Sequence, residues 1–216
     1  MDIDTGATAW VLISAALVLL MVPAVGLFYG GMVRKKNVIA TMMLSLVALA
    51  IGIIQWIVVG YSLAFGSDIG GFIGSLEYFG LNGITIDGVS GGIPDMLSVC
   101  FQMMFACLTL AILTSGVVGR VKMSAFLIFG AIWLTIVYAP LAHLAWGGGW
   151  AGTLGALDFA GGTVVHISSG FAAFALALVI GKRLGYGTQT MSPHNIPLTL
   201  LGGGFLIVGW FGFNAG

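Results

Sequence analysis

Fourteen charged side chains in 216 residues leave this chain few ways to fold in water. Charged residues are only 6% of the total, against roughly 25% in a soluble domain. The apolar residues, 59% of the chain with a mean hydropathy of +1.12, gather into uninterrupted runs. A hydrocarbon layer about 30 Å thick is crossed by about 20 apolar residues in a helix. On that measure six spans are predicted, over 7–31, 38–65, 95–118, 123–142, 161–181 and 196–216. The fold class is therefore an all-α integral membrane bundle.

The few charges fix its orientation. All seven basic residues lie in three segments: Arg34, Lys35 and Lys36; Arg120 and Lys122; Lys182 and Arg183. They follow the first, third and fifth spans. All seven acidic residues, Asp2, Asp4, Asp68, Glu77, Asp87, Asp95 and Asp158, fall in the complementary segments. Loops rich in Lys and Arg stay cytoplasmic. The N-terminus is therefore expected outside, with Asp158 on the outer face; one span more or fewer would scramble this separation. Met1-Asp2-Ile3-Asp4 lacks the basic start of a cleaved signal. Zero net charge gives no reason to expect nucleic acid as a partner.

Within the spans, Gly26-x-x-x-Gly30-Gly31 has the small-residue spacing of close helix contact, and Pro23 is expected to kink the first helix. The segment 66–94 reads as an outer loop with a short interfacial helix. Ser192-Pro193-His194-Asn195 opens the sixth span, with His194 as an interfacial or capping residue. Cys100 and Cys107 read as small core residues on one helix face. The last apolar run reaches Gly216 without a polar flank, which reads as an interrupted protein. Because five spans are odd in number, a second five-helix unit would be inverted, and residues 196–216 would begin it.

Titratable groups inside a membrane helix are costly and usually functional. His166 lies in the fifth span, on a helical stripe with Gly162, Gly170, Ala173 and Ala177 that is expected to face another helix. It is either a hydrogen-bonded core histidine or a pore-lining imidazole that donates one hydrogen bond and accepts another. Asp158 either caps the start of that helix or draws a cation to its mouth. Trp146 is either an interfacial anchor, as Trp150 is expected to be, or a ring face offered to a cation. Phe101 and Phe105, and likewise Trp210 and Phe213, stand at helical spacing and serve either core packing or a hydrophobic constriction. No hydrolytic set, phosphate loop or closed metal spacing is present, so neither an enzyme nor a cofactor is expected.

Five stretches taken together, GLFYGGMVRKKN (26–37), WIVVGYSLAFG (56–66), GALDFAGGTVVHISSG (155–170), IGKRLGYG (180–187) and GWFGFNAG (209–216), closely resemble the ammonium transporter family (Amt/Mep/Rh). The resemblance implies the first six spans of an eleven-helix inverted-repeat fold: 1–181 as the first five-helix repeat, 182–195 as a cytoplasmic loop and 196–216 as the start of the second. It implies a homotrimer in the plasma membrane, with one pore per subunit. Trp146 and Asp158 then correspond to ligand recruitment, Phe105 and Phe213 to the outer gate, and His166 and Trp210 to the pore. The expected ligand is ammonium or ammonia, with methylammonium as an analogue. A cytoplasmic regulatory protein of the PII type is implied as a partner. The family's second pore histidine and a vestibule serine lie past Gly216. Two other classes remain open: an ammonium sensor built on the same bundle, and a haem carrier using His143 and His166 as axial ligands.

Overall fold

In a computed structural model, which describes residues 2–216, six helices are long and apolar enough to cross a membrane. We label them α1 (Thr5–Met32), α2 (Lys35–Phe65), α3 (Asp95–Gly116), α4 (123–146), α5 (Gly162–Ile180) and α6 (Ile196–Ala215). With no water in a bilayer core, each span must satisfy its backbone internally, and helices do so. Three spans contain a π-helical stretch: Trp56–Gly60 in α2, Leu134–Tyr138 in α4 and Gly162–Ile167 at the start of α5. α1 is one helix through Pro23.

The buried core centres on α3, which packs against α1, α2 and α5. Glycines govern how closely the outer helices approach. An added Cβ at Gly26 would press on Ser45 and one at Gly30 on Met42, both of α2, and one at Gly31 would strike Asn195 and Thr199. On α6, Cβ atoms at Gly202, Gly209 and Gly212 would overlap the backbone of α1 at Ala24, Leu17 and Ser14. Small residues let the two backbones touch, the main source of helix affinity where apolar burial offers no gain over lipid. The Nε1 of Trp10 completes the contact by donating to the Ala215 carbonyl at 2.5 Å.

The separated charges meet at one end of the bundle. Arg120 Nη1 donates to the Gly181 carbonyl at 2.9 Å, and Arg183 Nε to the Val118 carbonyl at 3.1 Å. Arg34 Nη1 donates to Gln189 Oε1 at 3.0 Å. Arg120 thus caps the C-terminus of α5, where a cation complements the helix dipole. Burial, and after it the nearby charge of Arg183, lowers the Arg120 pKa from that of a free guanidinium.

Three expectations need correction. The outer segment 66–94 holds no interfacial α-helix. It forms two small antiparallel ladders, β1 (Asp68–Ile69) with β2 (Ile73–Gly74) and β3 (Val89–Ser90) with β4 (Ile93–Pro94), and a 3₁₀ turn (Phe79–Leu81). Its Gly and turn dipeptides favour tight reversals over helix. Asn195, not His194, caps α6, its side chain accepting from Leu198 N at 3.0 Å. Within the stripe drawn through His166, Gly162 and Gly170 are exposed and only Ala173 is buried, against Gly116. The π-helical start of α5 adds a residue to its turn, which takes positions 162 and 166 out of α-helical register with 170 and 173.

A side chain at Gly209 should therefore push α6 off α1. Gly209→Val is expected to cost about 1–3 kcal/mol through overpacking, read as a lower apparent Tm in detergent. Gly204→Ala, at a position with nothing within 4 Å, should leave the Tm unchanged.

Candidate functional site

The site is built around the start of α5. Gly161 precedes the helix at φ 90°, a left-handed conformation that a side chain would strain and that turns the chain sharply into it. Asp158 then reaches over the helix end. Its Oδ1 accepts from Gly161 N at 2.8 Å and Gly162 N at 2.7 Å, and its Oδ2 from Thr163 N at 2.8 Å and Val164 N at 2.9 Å. The first N–H groups of a helix have no partner within it, and the dipole there favours an anion. One carboxylate satisfies four donors at once. Of the two roles open to Asp158, capping is the one its side chain visibly performs.

The backbone of Asp158 does a second job, its carbonyl accepting from Trp146 Nε1 at 2.6 Å. The indole is thereby tied across from the end of α4 to the mouth of α5. Trp146 is half-buried and lines an outward cleft of about 690 Å³ with Phe101, Gln102, Phe105, Asp158 and Phe213. Trp150, by contrast, is exposed and meets Phe72 edge-on with ring centroids 6.5 Å apart.

At the floor of this cleft, Phe105 of α3 and Phe213 of α6 close on one another, with centroids 4.8 Å apart and planes at 56°. Both are buried. Phe101 supports Phe105 edge-on at 4.9 Å, and Trp146 lies 6.3 Å from it. Below the pair is His166, 5.5 Å from Phe213 and stacked on Trp210 at 5.6 Å with planes only 11° apart. His166 and Trp210 line a second cavity of about 190 Å³, walled by Met21, Val25, Phe28, Tyr29, Leu108, Ile112 and Leu206. Polar atoms are sparse there, with Tyr29 turned away to donate to the Ile112 carbonyl at 3.2 Å.

The six residues singled out from the sequence lie close together: Trp146, Asp158, Phe105 and Phe213 line the cleft of about 690 Å³, and His166 and Trp210, next to Phe213, line the cavity of about 190 Å³. Sequence reasoning missed Gln102, whose Oε1 is buried without a hydrogen-bond partner, and the slot residues Met21, Val25, Phe28 and Leu206. Their only signal was apolarity, which every span shares. The haem reading fails at His143. That side chain is fully buried, with Nδ1 3.0 Å from the Ala64 carbonyl and Nε2 2.9 Å from Asp68 Oδ1. Neither nitrogen is free to bind iron.

If Asp158 holds the helix start, Asp158→Ala should cost about 1–2 kcal/mol, the range for losing an N-cap. Asp158→Asn, which keeps an acceptor, should recover part of that loss. The comparison is made by thermal unfolding in detergent; equal stability of all three proteins would contradict the capping role.

Comparison with known proteins bears directly on this arrangement. The profile of the Ammonium Transporter Family matches residues 9–216. The ammonium transporter Amt1 of Archaeoglobus fulgidus is 56% identical over 211 residues, spanning 98% of this chain and 52% of that protein. An ammonium transporter of Bacillus subtilis is 51% identical over 213 residues, spanning 98% and 52%. Among solved structures, Candida albicans Mep2 superposes with a TM-score of 0.89 at 38% identity, covering 99% of this chain and 48% of that one. A protein described as a sensor Amt protein gives 0.88 at 32% identity, covering 96% and 53%. The chain spans about half the length of each of these relatives. With the profile matched from the first span to the final residue, the chain belongs to the ammonium transporter family.

Proposed function

We propose that this chain forms the outer vestibule, gate and first half of the conduit of an ammonium transporter. The observation that carries the reading is the division of one route into a polar-mouthed cleft and an apolar slot by Phe105 and Phe213, with His166 beyond them. Moving a small, well-hydrated cation without a partner into such a slot costs many kcal/mol. Ammonium avoids that cost by leaving a proton behind. The cation is held against the face of Trp146, at about 0.5–2 kcal/mol depending on desolvation, near the negative end of the capped Asp158 loop. It gives its proton to water in the cleft above the Phe pair, and ammonia passes His166, whose imidazole can both donate to it and accept from it. Potassium is similar in size but carries no proton to lose, so the same barrier rejects it.

The proton is either returned outside or carried across separately, which makes transport electroneutral or electrogenic. The relatives named as ammonium transporters, at 51% and 56% identity, favour transport over sensing. The 32% identical sensor protein shares the fold but not that closeness. By family, the assembly is a homotrimer in the plasma membrane. The grouping of Arg34, Arg120 and Arg183 at one end supports an outward N-terminus and offers a basic face to a PII-type partner.

Methylammonium uptake by vesicles containing the protein that carries this sequence, with and without a proton gradient and with current recorded, tests the proposal. Saturable uptake is expected, and His166→Ala should alter the current carried per substrate. Absence of uptake would defeat the transport reading. A variant with unchanged selectivity and current would remove His166 from the pathway.

A further inference from the structure

One buried titratable group lies outside the route. His143 occupies the last turn of α4, three residues before Trp146, and is fully buried. Its neighbours, the Ala64 carbonyl and the Asp68 carboxylate, are both acceptors. Through its two ring nitrogens the imidazole ties the end of α2 to β1. Asp68 is held below the usual carboxylate range, chiefly by the hydrogen bond from His143, with further help from Gly71 N–H and the imidazole charge. His143 is buried but Asp68 is partly exposed, so the pair adds little raw stability and its contribution is fixed geometry.

That geometry converges on the turn after Trp146. The His143 carbonyl accepts from Gly147 N and Gly149 N, each at 3.0 Å. Asp68 accepts from Gly71 N at 2.9 Å, and the Gly71 carbonyl accepts from Trp150 N at 2.9 Å. Gly147 is packed so closely that a Cβ would fall 2.9 Å from His143 Cα, against the Ala64 carbonyl. The backbone of 147–150 is therefore gripped by the end of α2, by β1 and by the last turn of α4. Trp146 itself has one polar tie, to the Asp158 carbonyl. Neither His143 nor Asp68 lines the cleft.

We infer that His143 and Asp68 are positioning residues, a two-point clamp that sets the Trp146 ring over the vestibule and so tunes capture of the cation. This rests on the transport reading above, and it predicts an effect on half-saturation rather than on maximal flux.

The experiment is a double-mutant cycle on methylammonium uptake in vesicles. His143→Gln and Asp68→Asn are each combined with Trp146→Leu. Each single clamp variant should raise the half-saturating concentration about threefold, within the range of coupling between neighbouring residues, with maximal flux retained. In the Trp146→Leu background the same changes should have almost no further effect, because the side chain they position is gone. If His143→Gln fails to fold, Asp68→Asn decides alone, since Asp68 is partly exposed and the amide keeps an acceptor for Gly71. Unchanged half-saturation in the single variant, a fall in maximal flux alone, or an equal effect with and without Trp146 would overturn the clamp while leaving transport intact. No uptake by the unmodified protein would instead defeat the transport reading itself.

Discussion

The site depends on the hold of one carboxylate on four backbone N–H groups. Without Asp158, the first turn of α5 would present unpaired donors at the edge of a region that has no water to satisfy them. With it, the helix can start abruptly at Gly161 and run as a π-helix through His166. The same residue's carbonyl fixes Trp146. The mouth of the route and the histidine beneath it are thus set by two ends of one residue. A carboxylate bound in this way has both oxygens engaged, so under the proposed function it acts on a cation as a field rather than as a ligand.

The same scarcity of water explains how the rest of the bundle treats polarity. His143 and Asp68 satisfy one another across the outer segment, and Trp56 Nε1 donates to the Val99 carbonyl at 3.2 Å. At the opposite end, Arg120 and Arg183 finish helix and loop carbonyls that nothing else reaches. Between these ends, α6 lies against α1 on glycine, which places Phe213 opposite Phe105. The constriction is therefore a product of backbone proximity: a bulkier face on α6 would move one half of the phenylalanine pair away from the other.

Much of this was legible in the residues because a membrane leaves so few options. Length and apolarity predicted the six spans, and the division of fourteen charges into two sets is the basis for the proposed outward N-terminus. The site residues were legible as candidates, but their roles were not. Spacing could not say whether Phe105 and Phe213 pack or gate, since they lie on different helices and meet only through the α1–α6 contact. Periodicity turned His166 toward another helix, where it stacks on Trp210, but misled at Gly162 and Gly170, because a π-helical turn has no sequence signature strong enough to displace an α-helical projection. His143, an axial ligand only in the rival haem reading, is an internal tie: its partner, Asp68, lies 75 positions away in a loop whose fold the sequence left open.

The proposed function rests on the constriction admitting a molecule able to shed its charge and stopping an ion that cannot. Potassium flux is the most direct measure of it, because potassium matches ammonium in size and differs in that one respect. In vesicles containing the protein that carries this sequence, with potassium as the only permeant candidate, flux should stay at the level of protein-free vesicles. Potassium flux comparable to methylammonium uptake in the same vesicles would contradict the account.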